Sequence, residues 1–226
     1  MWGSILDQFQ DCNLVLIDLP GHGESPAYSE ESYSMSFMAS KVKEVFDHES
    51  IQNAIVIGHS LGGYVGLELM KIVELEKLVL FNSNFWADSD ERRTNRNRVI
   101  EVVRKNKSVF LIEAIRNLFY LKSNELNVVI DQLIEKASLM PVEEIIKSTY
   151  GLRDREDQGK LVRNNADKIY VIHADNDPII SNEEMEGNLN KLTKKPELHL
   201  IENSGHMSLW ENPNATNRIL RKIIHG

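Results

Sequence analysis

The chain has 226 residues, of which 42% are hydrophobic and 27% charged, and its net charge is −8. That length suits one sizeable core plus an insertion, and the composition is that of a soluble globular protein. The acidic balance argues against nucleic acid and anionic membrane surfaces as partners, and no apolar run nears the roughly 20 residues of a membrane helix.

Met1 to Gln10 carries Asp7 and no lysine or arginine, and it lacks the regions of a signal peptide. Apolar residues at Trp2, Ile5, Leu6 and Phe9 have helical spacing. Cys12 is the single cysteine, which excludes an intrachain disulfide and leads us to expect a reducing, cytoplasmic setting. Leu14-Val15-Leu16-Ile17 reads as a buried strand ending at Asp18, followed by the turn-rich Pro20-Gly21-His22-Gly23-Glu24-Ser25-Pro26. Ser34 is placed to cap a helix with Met38, Val42, Val45 and Phe46 on one face. Ala54-Ile55-Val56-Ile57 predicts a second buried strand, and Leu78-Val79-Leu80-Phe81 a third.

From about Asn84 to Asn165 strands give way to amphipathic helices. Asp88 with Glu91 has the form of a capping box, and Val99, Val102 and Val103 give the first helix an apolar face. Further helices are expected near 109–121, 126–137 and 142–150. Strand patterns return at Ile169–Ile172 and Leu198–Ile201, separated by a helix over 183–191, and a last helix spans about 215–224. Strands alternating with helices predict an α/β fold with a mostly parallel sheet. Residues 84–165 then form a helical cap inserted between two core segments, 1–83 and 166–226.

Between the second strand and its helix lies Gly58-His59-Ser60-Leu61-Gly62-Gly63. Strand, G-x-S-x-G turn and helix together make a nucleophile elbow, whose serine takes a strained backbone conformation. The small residues this needs on either side are supplied by Gly58 and Gly62. A serine hydroxyl needs a base, and the base a carboxylate that fixes its tautomer. The acid candidates follow Ile169–Ile172 in His173-Ala174-Asp175-Asn176-Asp177-Pro178; Asp177 is favoured and Asp175 is the alternative. Of the histidines beyond the acid, His199 falls within a strand and His225 is next to last, so His206, in a loop after a strand, is the expected base. His22 and His59 are read as packing or pocket-wall residues.

Asp18-Leu19-Pro20-Gly21-His22-Gly23-Glu24-Ser25, the elbow, Ala174-Asp175-Asn176-Asp177 and Ser204-Gly205-His206-Met207 occur in an order that resembles the α/β-hydrolase superfamily, in its serine-nucleophile, helical-cap branch. The resemblance covers nearly the whole core and implies Ser60, Asp177 and His206 as the catalytic residues, with the backbone N–H of Leu61 as an oxyanion donor. One departure is Ala174, where the family has glycine. Another is larger: the family's pattern begins with further strands, one ending in a His-Gly loop that gives a second oxyanion donor, and no such loop precedes Asp18. The resemblance therefore implies an N-terminally truncated fold, with a gap or re-pairing between the Leu14–Ile17 strand and the elbow strand. It also implies that this form is weak or inactive, since one oxyanion donor is worth about 100- to 1,000-fold in rate.

Arg92, Arg93, Arg96 and Arg98 are expected to pair with Asp88, Asp90 and Glu91 on a solvated face; the alternative is an arginine holding a substrate carboxylate. Phe85, Trp86, Phe110, Phe119, Tyr120 and Met140 fit the cap's own core at least as well as a pocket wall. The leading expectation is a serine hydrolase acting without a cofactor or metal on a small carboxylic ester or related acyl substrate. The alternatives are a carbon–carbon bond hydrolase or lyase acting on a small carboxylated metabolite, and a non-catalytic hydrolase-like protein.

Overall fold

The computed structural model describes residues 1–226, the side chain of Ser4 excepted. Among the described residues one sheet forms, of four parallel strands in the order β1 (Ile55–His59), β2 (Lys77–Phe81), β3 (Ile169–Ala174), β4 (Glu197–Ile201). Helix α1 is short (Gly3–Leu6) and runs into a 3-10 turn at Asp7–Phe9. Helix α2 (Met35–His48) starts where Ser34 accepts the Phe37 N–H. Crossovers between successive strands are α3 (Leu61–Leu69), then the group α4 (Asp90–Arg116), α5 (Asn124–Ser138), α6 (Val142–Arg153) and α7 (Gly159–Asn164), then α8 (Asn182–Asn190). The chain closes with α9 (Ser208–Glu211) and α10 (Pro213–His225).

Side chains alternate across the sheet, as the two-residue period of a strand requires. Leu78, Leu80, Ile169 and Val171 enter one core with Met38, Val42, Val65 and Leu67. Val79, Phe81, Ile172 and Ile201 enter the opposite core with Leu220 and Ile223 of α10 and Ile5 and Phe9 of the first segment. A third cluster, around Ile100, Val103, Leu111 and Ile145, lies within α4 and α6.

Two expectations fail, and a third is refined. Leu14–Ile17 forms no strand: Leu14, Val15 and Leu16 are 48%, 51% and 57% exposed, and Leu16 and Ile17 line an open groove of about 420 Å³ against α2. A β-forming run becomes a strand only when neighbours satisfy its backbone and cover its side chains, and no strand pairs with it. The cap of α4 is Ser89, which accepts the Arg92 N–H; Asp88 is instead buried between Arg155 (2.8 Å) and Arg96 (3.0 Å). The helix expected near 109–121 is the second half of α4, which bends at Asn106 (φ −156°, ψ 81°) and restarts where Asn106 Oδ1 accepts the Val109 N–H.

Candidate active site

Strand β1 runs into the Gly-rich motif and ends at His59, and Ser60 turns the chain into α3 with φ 49° and ψ −113°. That backbone is strained for a non-glycine residue. It is held by the Ser60 N–H bonded to Phe81 O (2.9 Å) and by Ser83 Oγ donating to Ser60 O (2.7 Å). A Cβ on Gly58 would run into the Gly62 carbonyl, and one on Gly63 into Ser83. A Cβ on Gly62 would meet nothing within 4 Å. The tight packing thus requires Gly58 and Gly63, which corrects the expectation for Gly62. Leu61 is the first residue of α3, so its N–H lies in the first turn, where a helix leaves amides without intrahelical partners.

The loops after β3 and β4 bring Asp177 and His206 together, with His206 Nδ1 2.8 Å from Asp177 Oδ2. Both residues are buried. Asp177 Oδ2 also accepts from Asn82 Nδ2 (3.1 Å), and its Oδ1 accepts the N–H of Ile179 (2.8 Å) and of Ile180 (3.1 Å). Burial alone would raise this carboxyl; His206, the Ile179 N–H and Asn82 outweigh it and hold its pKa below the usual aspartate value. Asp175 binds elsewhere, and its Oδ1 accepts Asn176 Nδ2 (2.7 Å) and the Ser204 N–H (3.2 Å), bracing one loop on the other. His199 lies on β4 beside Glu197 (3.2 Å), and His225 beside Asp11 (3.5 Å).

His59, the residue before Ser60, does more than pack. Its Nε2 lies 2.8 Å from the carbonyl oxygen of His206, and the two rings are 5.1 Å apart. Burial, reinforced by the nearby His206, pushes its pKa down to about 3, so it is neutral near pH 7 and Nε2–H donates. His22 Nδ1 contacts Pro20 O within its own turn (3.0 Å).

Sequence reasoning passed over Asn82, Ser208 and Glu211. Asn82 follows β2 with φ 44° and bridges Asp177 to Ser208, whose Oγ donates to Asn82 Oδ1 (2.6 Å). The available signal was an asparagine, a residue that tolerates left-handed backbone, directly after a strand. Of the arginines, Arg92 pairs with Glu184 on α8 (2.6 Å), Arg96 with Asp88, and Arg98 with Asn95 (3.2 Å). Phe85 and Trp86 pack in the core shared with α2 and α3, and Phe119 in the core beneath α10. Phe110 and Met140 pack against the cluster between α4 and α6, and Tyr120 is exposed.

A strained serine at a strand–helix turn and a carboxylate-bound histidine both lie at the C-terminal end of the parallel sheet. The family model described as the alpha/beta hydrolase fold matches residues 1–213, and the chain belongs to that family. Among curated proteins, it is 26% identical over its whole length to the dihydrolipoyllysine-residue acetyltransferase component of the acetoin cleaving system of Cupriavidus necator, covering 60% of that protein. A Pseudomonas savastanoi protein, named as a candidate carbamate hydrolase RutD, is 23% identical over 96% of this chain and 85% of its own length. A match to a candidate esterase/lipase of Mycoplasma pneumoniae spans only 28% of that protein, at 27% identity over 33% of this chain. Among solved structures, a thermophilic esterase from Thermogutta terrifontis superimposes with a TM-score of 0.80 at 26% identity, over 92% of this chain and 78% of the esterase. An alpha/beta hydrolase from a Medee basin deep-sea metagenome library, 18% identical, shares the fold with a TM-score of 0.83 over 100% of this chain and 84% of its own.

Proposed function

We propose that this chain is a serine hydrolase that cleaves a small carboxylic ester, or a related acyl substrate such as a carbamate, through an acyl-Ser60 intermediate. The observation that carries this is the 2.8 Å contact between His206 Nδ1 and the buried Asp177 carboxylate. With Nδ1 keeping its proton and donating it in a hydrogen bond to Asp177, Nε2 is the ring's basic nitrogen. It takes the Ser60 proton as the hydroxyl oxygen attacks the acyl carbon, and the Leu61 N–H binds the developing oxyanion. His206 then protonates the leaving alcohol. In the second half-reaction it activates water, which releases the acid and restores Ser60. Asp177 keeps its charge throughout, stabilised by the Ile179 and Ile180 amides and Asn82.

In this account residues 84–165 are a cap over a core made of 1–83 and 166–226, and no cofactor or metal takes part. The substrate is a small molecule, not nucleic acid or membrane, and the single cysteine supports a cytoplasmic setting. Relatives named as esterase and as candidate carbamate hydrolase support the ester and carbamate classes. The carbon–carbon cleavage reading wants an arginine free to hold a substrate carboxylate, and the pairing of Arg92 with Glu184 and Arg96 with Asp88 counts against it. The test is a panel of p-nitrophenyl esters and aryl carbamates under pre-steady-state conditions. A stoichiometric burst of nitrophenol that Ser60→Ala removes is expected. Turnover that Ser60→Ala leaves intact would overturn the assignment.

A further inference from the structure

Glu211 stands apart from the residues assigned chemistry above, yet its carboxylate is fully committed. Its Oε1 accepts the N–H of Tyr120 and of Leu121, both at 2.7 Å, and its Oε2 accepts the N–H of Gly205 at 2.8 Å. Tyr120 and Leu121 lie in the link between α4 and α5, and Gly205 immediately precedes His206. All three contacts have the short length of charge-assisted hydrogen bonds. The two segments also touch directly: the His206 N–H donates to Leu118 O (2.9 Å). They are so close that a Cβ on Gly205 would lie 2.6 Å from the Tyr120 nitrogen and 3.0 Å from Leu118 O. On its other side the His206 carbonyl is held by His59. The backbone of His206 is thus fixed by the helical insertion through its N–H and by the elbow through its C=O.

We propose that Glu211 is a positioning residue that clamps the α4–α5 link onto the Gly205–His206 loop, so that the placement of the His206 imidazole depends on the seating of the helical insertion. This rests on reading His206 as the base of an acyl-Ser60 mechanism. Neither segment is held by a strand ladder or a helix where it meets the other, so the carboxylate supplies the acceptors that both loops lack. An insertion that lifts from the core pulls on Gly205 and withdraws the base; an insertion that seats restores it.

Two readouts on one set of proteins test this: amide hydrogen exchange over 118–121 and 204–207, and the rate at which Ser60 reacts with a fluorophosphonate. In Glu211→Ala the Tyr120, Leu121 and Gly205 amides should exchange faster. The labelling rate per folded molecule should fall ten- to about a hundred-fold, the scale of a misplacement of roughly 1 Å at a reacting group. Glu211→Gln keeps one acceptor oxygen and should fall between the two. Gly205→Ala leaves Glu211 intact but wedges the same contact, and should slow labelling alike if Glu211→Ala does not fold. Faster exchange with an unchanged labelling rate would make the clamp merely structural and overturn the proposal, as would unchanged exchange. A wild-type chain that folds, shows protected amides at these positions and yet resists the probe would instead contradict the acyl-Ser60 reading, and the positioning role with it.

Discussion

Leu78–Phe81 and Leu14–Ile17 are both runs of four apolar residues, and they end in opposite states. The first is the centre of β2, paired on both sides, with Leu78, Val79, Leu80 and Phe81 all at 0% exposure. The second is unpaired, with its first three residues about half exposed. Local propensity is alike in the two; what differs is whether neighbouring strands offer a ladder and two covered faces. The same contrast orders the site. Asp177 and His206 follow β3 and β4, on the paired side, and Ser60 follows β1, whose other edge carries no strand among the described residues.

Substitutions probe this contrast at several points. On the paired side, Asp177→Asn removes the charge that orients His206 and should lower activity about ten-thousand-fold while leaving the fold intact; esterase turnover beside a far-ultraviolet spectrum checks both halves. Leu80→Ala should destabilise the chain by about 2–5 kcal/mol, against about 0.5 kcal/mol or less for Leu16→Ala. Urea titrations that give Leu16→Ala a cost like that of Leu80→Ala would mean that the first run is covered in solution. At the junction of the two regions, Gly58→Ala must displace the Gly62 carbonyl and should cost about 1–3 kcal/mol, whereas Gly62→Ala faces open space. The thermal midpoint of Gly62→Ala should stay near that of the parent chain.

The smallest effect concerns His59. Its folded pKa of about 3 lies below the ordinary histidine value of 6.5, so the unfolded chain takes up the proton first. The stability this contributes is complete above the ordinary value and drains away as pH falls toward the folded one, by about 2 kcal/mol between pH 7 and pH 5. His59→Gln, which keeps a donor for the His206 carbonyl but does not titrate, should flatten that part of the stability profile. An unchanged slope would show that His59 is hydrated in solution.

Much of the fold was legible because its signals are local. The runs that became β1 to β4 are short, apolar and bounded by polar or glycine-rich turns, and Ser34 announced α2 by its capping chemistry. Chain order after the Gly-rich motif led to the expectation that Asp177 and His206 meet, and the structure joins their side chains by a hydrogen bond. The rest depends on contacts distant in sequence. Asp88 looks like a helix cap until Arg155, far along the chain, claims it. Nothing around Glu211 reveals that its partners are backbone amides at Tyr120, Leu121 and Gly205. His59 looked like packing because the group it holds is a main-chain oxygen, which leaves no mark on the sequence.

The most direct test of the central claim is the intact mass of the chain after treatment with a fluorophosphonate, beside Ser60→Ala and His206→Ala. A single covalent adduct on the parent chain, absent from both variants, is the predicted result and would place an activated nucleophile at Ser60. A folded parent chain that gains no mass, or an adduct that survives Ser60→Ala, would contradict it.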